Sequence, residues 1–129
     1  MQKIPVKDGI FVEGPDGVAL AANRCKSCGR FYFPKSKFCL DCMGNNLEDI
    51  TLSKQGKLYS FTVAQMPSTH FKPPYAAGFV AMPEGLKIFA PLDIIADKPF
   101  RVGMEMEVYT DTLWTEGERE YVGYRFKAL

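Results

Sequence analysis

From Leu58 onward the chain alternates apolar and polar residues with a period of two. Leu58 to Met66 sets Tyr59, Phe61 and Val63 against Ser60, Thr62 and Ala64, the pattern of a strand with one face on a core. Tyr75 to Met82 and Leu86 to Ile95 follow, joined by the turn residues Pro83-Glu84-Gly85, and Pro91 marks a bulge or an edge position in the second of them. Val102 to Thr110 alternates Met104, Met106 and Val108 with Glu105 and Glu107, and Glu120 to Leu129 places Val122, Tyr124 and Phe126 on one face. No segment carries the 3.6-residue apolar period of a substantial helix. Ala96 to Arg101 is the only room for one, and Pro99 limits it. Five antiparallel strands without covering helices remove their exposed edges best by closing into a small Greek-key barrel, and an OB-fold is the simplest such barrel.

The first part of the chain reads differently. Ile4, Val6, Ile10, Phe11 and Val12 lead into Gly14-Pro15-Asp16-Gly17, a strong turn signal, so residues 1–13 and Val18 to Arg24 are expected to form a hairpin. Arg30 to Phe33 is a short aromatic strand ended by Pro34, Gly44-Asn45-Asn46 is a turn, and Leu47 to Ser53 is a further strand. Gln55-Gly56-Lys57 is the best module boundary, which divides the chain into residues 1–55, hairpin and ribbon, and 56–129, the barrel.

All four cysteines lie in that first part, as Cys25-Lys-Ser-Cys28 and Cys39-Leu-Asp-Cys42 with ten residues between the pairs. Two such hooks bring four thiolates to the corners of one tetrahedron, the requirement of a closed structural zinc site with one Zn2+ per chain. Gly29, directly after Cys28, is the better placed of two glycines to relax a hook, with Gly44 the other. Iron in a rubredoxin-like site suits the same geometry and stays open at this point. Two disulfides would suit a secreted miniprotein, but the first residues carry no apolar signal segment, and a cytoplasmic location is expected. A thioredoxin-like redox pair belongs in a βαβ setting that this pattern lacks.

Charge is nearly balanced, 16 Lys and Arg against 15 Asp and Glu, which is not the balance of a nucleic-acid binder. Between Arg24 and Lys37, however, Arg24, Lys26, Arg30, Lys35 and Lys37 stand with no acid among them. Such a run is either a solvated face or a contact for phosphate groups. No apolar run approaches the ~20 residues that would cross a bilayer. His70, the only histidine, sits in the loop Met66 to Pro74, and with every thiol committed to metal there is no Cys-His nucleophile pair to build. Thr69, His70, Phe71 and Lys72 are instead candidates for substrate or partner contact, because barrel loops are where such folds bind ligands. Trp114 is the only tryptophan and reads as part of the connection Thr110 to Arg119, either a barrel cap or an interface anchor.

These segments carry a family likeness. Arg24 to Pro34, Phe38 to Cys42 and Gly56 to Val63 resemble the acyl-CoA-associated family known as domain of unknown function 35, which joins a zinc ribbon to an OB-fold. The likeness continues through Pro74-Tyr75, Glu84-Gly85-Leu86 and Val102 to Val108, and covers nearly the whole chain from Val18. The resemblance implies a mainly β protein, an N-terminal rubredoxin-like zinc ribbon followed by a five-stranded OB-fold barrel. It further implies a non-catalytic accessory subunit of a thiolase-type enzyme complex, partnered with a thiolase-superfamily subunit and assisting acyl-CoA binding. An aromatic or dicarboxylic thioester resembling benzoylsuccinyl-CoA is the expected substrate type. A hotdog-fold enoyl-CoA hydratase is the alternative partner. A reading of another class is a single-stranded nucleic-acid binder, for which Tyr75, Phe79 and Phe89 could stack bases, although that stretch offers only Lys87 against two acids, Glu84 and Asp93, and so lacks a basic groove. A rubredoxin-like electron carrier is the third reading.

Overall fold

The structure is a computed structural model that describes residues 2–5, 9–15, 17–68 and 71–129. Its ten strands are β1 (Gln2–Pro5), β2 (Phe11–Gly14), β3 (Gly17–Cys25), β4 (Phe31–Tyr32), β5 (Leu47–Thr51), β6 (Gln55–Ala64), β7 (Tyr75–Ala81), β8 (Lys87–Leu92), β9 (Glu105–Glu116) and β10 (Arg119–Ala128). No helix occurs among the described residues, so none is long and apolar enough to cross a membrane.

The last five strands close a barrel. The order β8-β7-β6-β9-β10 is antiparallel throughout, and β10 returns to β8 in parallel through Phe126 and Leu92. That is the OB-fold connectivity expected from the alternating pattern. The inward residues Leu58, Val80, Ile88, Ala90, Leu92, Met106, Val108 and Phe126 are all buried in one cluster. Burying so many aliphatic side chains, each contributing about 1.5–3 kcal/mol, is the dominant stabilising term.

Three details depart from the sequence expectation. First, β9 runs on to Glu116, so Thr110 to Thr115 is strand and only Gly117 and Glu118 form the tip. Its threonines and tryptophan are good strand formers, and pairing with β10 satisfies the backbone that a loop would leave to water. Second, β1 does not join the first hairpin: β2 alone pairs β3, while β1 lies parallel to β10 from Gln2↔Arg119 to Pro5↔Val122. Third, the segment after β8 forms only a local bridge between Ile95 and Lys98.

Ribbon and barrel share one core. Val18, Leu20 and Ala22 of β3 and Leu52 after β5 belong to the same buried cluster as the barrel residues. Phe33 meets the ring of Tyr124 edge-on at 5.7 Å, and the Glu84 carboxylate accepts hydrogen bonds from the Ser53 amide (2.9 Å) and hydroxyl (2.8 Å). The β7–β8 turn is thereby tied to the strand that leaves the ribbon.

Candidate metal centre and the surrounding surface

The two cysteine hooks fold as repeats of one knuckle. In the first, Gly29 donates to the Cys25 carbonyl (2.8 Å) and the Cys25 amide donates to Arg30 (2.9 Å); in the second, Met43 donates to Cys39 and the Cys39 amide to Gly44, both at 2.8 Å. The residue after each second cysteine is left-handed, with φ of 81° at Gly29 and 61° at Met43. Gly29 thus does what the sequence suggested. In the second hook the left-handed position falls on Met43 rather than on Gly44, at a cost of about 1 kcal/mol for a residue with a Cβ. The amides of Ser27 and Cys28 point at the Cys25 sulfur and those of Asp41 and Cys42 at Cys39, while Arg30 and Gly44 supply theirs to Cys28 and Cys42.

All four sulfurs lie within 4.8 Å of one another, with Cys28 and Cys39 3.3 Å apart and Cys25 and Cys42 3.6 Å apart. A tetrahedron with Zn–S bonds near 2.3 Å has edges of about 3.8 Å, so the cluster fits one zinc ion. Cys25 and Cys39 are buried and Cys28 and Cys42 exposed. Sequence reasoning passed over Tyr32, which is buried beside this cluster. Its hydroxyl donates to the Cys39 sulfur at 3.3 Å and accepts the Leu40 amide at 2.8 Å. Burial keeps the Tyr32 hydroxyl protonated, as a donor must be. That bond, with the amides of Cys42 and Asp41, lowers the Cys39 thiol to about 6. The Cys28 amide and its neighbours lower Cys25 in the same way. At Cys28 the Arg30 amide favours the thiolate, but the Cys39 sulfur and burial outweigh it and push the thiol up to about 12. Cys42 is likewise raised, despite the Gly44 amide, by the Cys25 and Cys39 sulfurs. A metal that binds here must displace protons from Cys28 and Cys42, so its affinity falls as pH falls. Replacing Tyr32→Phe keeps the ring and removes only the hydroxyl. It should weaken zinc binding on the order of 10-fold in a chelator competition, as for other supporting partners of a metal ligand. Unchanged affinity would show the hydroxyl to be a bystander.

Asn23, the one buried polar side chain among the described residues, fixes the span between the hooks. Its amide nitrogen donates to the Ser36 carbonyl at 2.7 Å and its oxygen accepts the Ser36 amide at 3.2 Å.

The basic run does not present itself as one cationic patch. Arg24 pairs with Glu48 at 3.3 Å, Lys35 with Asp49 at 3.4 Å, and Arg30 with Asp41 of the second hook. Arg24 and Arg30 also lie over the rings of Phe31 and Tyr32, at 5.8 and 5.1 Å. Glu48 and Asp49 come from β5, which pairs with β3 so that Arg24 stands opposite Glu48, and Asp41 comes from the second hook. Of the five cations, Lys26 and Lys37 form no ion pair among the described residues.

His70 and Thr69 lie outside the described residues. Their neighbour Phe71 is half-buried and sits 5.6 Å from the ring of Tyr75 and 6.3 Å from Trp114, while Lys72 is exposed. Trp114 stacks on Tyr121 of β10 at 5.2 Å with the rings 19° from parallel. The structure thus brings Phe71 and Trp114 together in a half-buried aromatic cluster near the tip of the long β9–β10 hairpin.

A four-thiolate ribbon packed on a closed five-stranded barrel defines the class: a zinc-ribbon and OB-fold protein. Residues 19–48 match the family model for the ChsH2 rubredoxin-like zinc ribbon domain, and residues 49–111 match that for the ChsH2 C-terminal OB-fold domain. The chain belongs to this ChsH2 family, and its metal centre is a structural zinc site. It is similar to the benzoylsuccinyl-CoA thiolase subunit BbsA of Thauera aromatica, 37% identical over 123 residues that span 92% of this chain and 85% of that one. It is 28% identical over 116 residues to a DUF35 domain-containing scaffold protein of Methanothermobacter thermautotrophicus, covering 88% and 87% of the two chains. Among solved structures it superposes on the Ltp2-ChsH2(DUF35) aldolase with a TM-score of 0.69 at 25% identity, over 85% of this chain and 84% of that one.

Proposed function

We propose that this protein is a non-catalytic accessory subunit of a thiolase-type enzyme complex, assisting assembly and acyl-CoA binding in a degradative pathway. The observation that carries the reading is its 37% identity, over most of both chains, to a subunit of a benzoylsuccinyl-CoA thiolase. The metal centre supports it from the other side. All four cysteines converge on one point, which removes the thiols that a thiolase-type nucleophile would need. An aromatic or dicarboxylic acyl group follows from the same relative. The residue assignments belong to this proposal: Cys25, Cys28, Cys39 and Cys42 hold the zinc, and Lys26 and Lys37 are the cations of the basic run best able to meet CoA phosphates. In the proposed division residues 1–55 carry the hairpin and ribbon and 56–129 the barrel, except that β1 lies against the barrel strand β10. A cytoplasmic location accords with cysteines kept as thiolates. Nucleic acid has no part in it, since three of the five clustered cations are already paired.

An affinity-tagged chain purified gently from its own cells should retain a thiolase-type subunit, and the pair should cleave a CoA thioester with added CoA where this chain alone does not. Retention of a hydratase instead would move the protein to the alternative partner. Retention of neither would overturn the proposal.

A further inference from the structure

The outward face of β6, β7 and β8 carries aromatic side chains that the fold does not use. Inward positions alternate through Leu58, Val80, Ile88 and Ala90, so the opposite face shows Ala77, Phe79 and Phe89. Tyr59 joins them as the residue after inward Leu58, at the point where the register of β6 shifts between Leu58 and Ser60. Tyr59 is 52% exposed, Phe79 40% and Phe89 56%. Phe79 and Phe89 stand directly opposite each other, rings 5.1 Å apart and edge to face. Lys57 and Lys87 border the group, and the Lys87 ammonium lies 4.1 Å above the Tyr59 ring. No aspartate or glutamate occurs on the outward positions of these three strands. A cluster of large exposed apolar side chains of this kind marks an interaction site.

We propose that this face is the surface on which the chain docks its larger subunit, and that the partner offers an apolar patch edged by carboxylates. The identity of that partner rests on the function proposed above; the location of the surface does not. Charge selects the occupant. Glu105 of β9 stands opposite Lys57 in the register, so Lys87 is the cation that decides: two copies meeting through this face would add Lys87 to Lys87, whereas acidic side chains on a different protein would pair it at the rim. Nucleic acid is served poorly, because stacking needs open ring faces. Here Lys87 covers Tyr59, and Phe79 and Phe89 pack on each other. Aromatic anchors at the centre with lysines at the edge are the anatomy of a protein interface.

Photocrosslinking in the cells that express the protein tests this directly, with benzoylphenylalanine in place of Phe89, of Phe79, or of Val12, which is exposed on β2 away from the face. The expected result is a crosslink from Phe89 and Phe79, but not from Val12, to one protein identified as a thiolase-type subunit. The variants Phe89→Glu and, as a milder change that leaves the core untouched, Lys87→Glu should keep zinc and melting temperature. Phe89→Glu should weaken that complex on the order of 30-fold, the loss usual for a central anchor. A crosslink to a thiolase-type subunit from Val12 alone would leave the functional reading standing and overturn the surface. Crosslinks from Phe89 and Phe79 to a different protein with an acidic patch would do the reverse. Crosslinks between copies of this chain, or none at any position, would overturn the docking surface.

Discussion

Replacing Cys39→Ser should strip the metal from the protein and unfold its N-terminal ribbon. Cys39 is fully buried, accepts the Tyr32 hydroxyl and the amides of Asp41 and Cys42, and lies 3.3 Å from Cys28. A serine hydroxyl cannot replace that thiolate at zinc, and a three-ligand remnant no longer closes the site. The ribbon has little else to hold it. Its own buried cluster consists of Cys25, Tyr32 and Cys39 with Leu47 packed alongside, and two of those three buried residues are metal ligands. Structural zinc contributes on the order of 10 kcal/mol to such a module, more than this small cluster can offer. Metal analysis after gel filtration should fall from one zinc per chain to near none, and the amides of Gly29, Cys39 and Met43 should lose their protection from exchange. Barrel stability should fall as well, because Val18, Leu20, Ala22 and Leu52 reach from the ribbon side into the barrel core. A strong chelator acting on the unmodified chain should reproduce both effects, more readily in acid than at neutral pH. A Cys39→Ser protein that keeps a full zinc and a native exchange pattern would refute the account.

The parts of this structure that the sequence disclosed are those with a short-range periodic signature. Alternation at Met104 to Val108 has only one good solution, a strand with Met106 and Val108 inside, and the hook spacing has only one good geometry; the face read from Tyr59, Phe61 and Val63 is instead exposed, because Leu58 takes the core position and the register of β6 shifts before Ser60. The parts it concealed depend on pairings between distant segments. Arg24 looked like a free cation until β3 and β5 were paired, which sets Glu48 opposite it. Tyr32 was one of three consecutive aromatics, and only the pleat of the two-residue β4 decides that its ring, rather than that of Phe31, turns toward the sulfurs. Met43 shows the reverse error. A glycine two residues past Cys42 drew attention, yet the repeat of the knuckle fixes the left-handed position by spacing, whatever residue stands there. The parallel pairing of β1 with β10 joins the two ends of the chain and leaves no local mark at all. Trp114 was noticed for its rarity, but its place in the aromatic cluster follows from the length of β9, which depends on β10.

Gly78→Ala, a change of one methyl group, should break the barrel. A Cβ built on Gly78 would stand 2.1 Å from the Ser60 carbonyl oxygen and 2.9 Å from the Phe61 Cα, both backbone atoms of the paired strand. Neither can swing aside as the end of a side chain could. Contacts under 3.0 Å are essentially never made by a real Cβ, so β6 and β7 would have to part by roughly an ångström at the point where Gly78 faces Phe61. The register of β6 shifts just before Ser60, so this close approach lies directly beside a bulge. Parting them would loosen the ladder on either side, at Ser60↔Phe79 and Thr62↔Ala77, and lift Leu58 and Val80 out of contact in the core. The expected cost is about 4 kcal/mol or more, a large share of the 5–15 kcal/mol that holds a domain of this size. The contrast lies within the same chain. Gly14 has nothing within 4 Å of its would-be Cβ and an ordinary φ, so Gly14→Ala should change stability by no more than about 0.5 kcal/mol. Urea titration of the two variants with zinc bound separates them; equal midpoints would mean that the barrel tolerates a methyl at the close approach of β6 and β7.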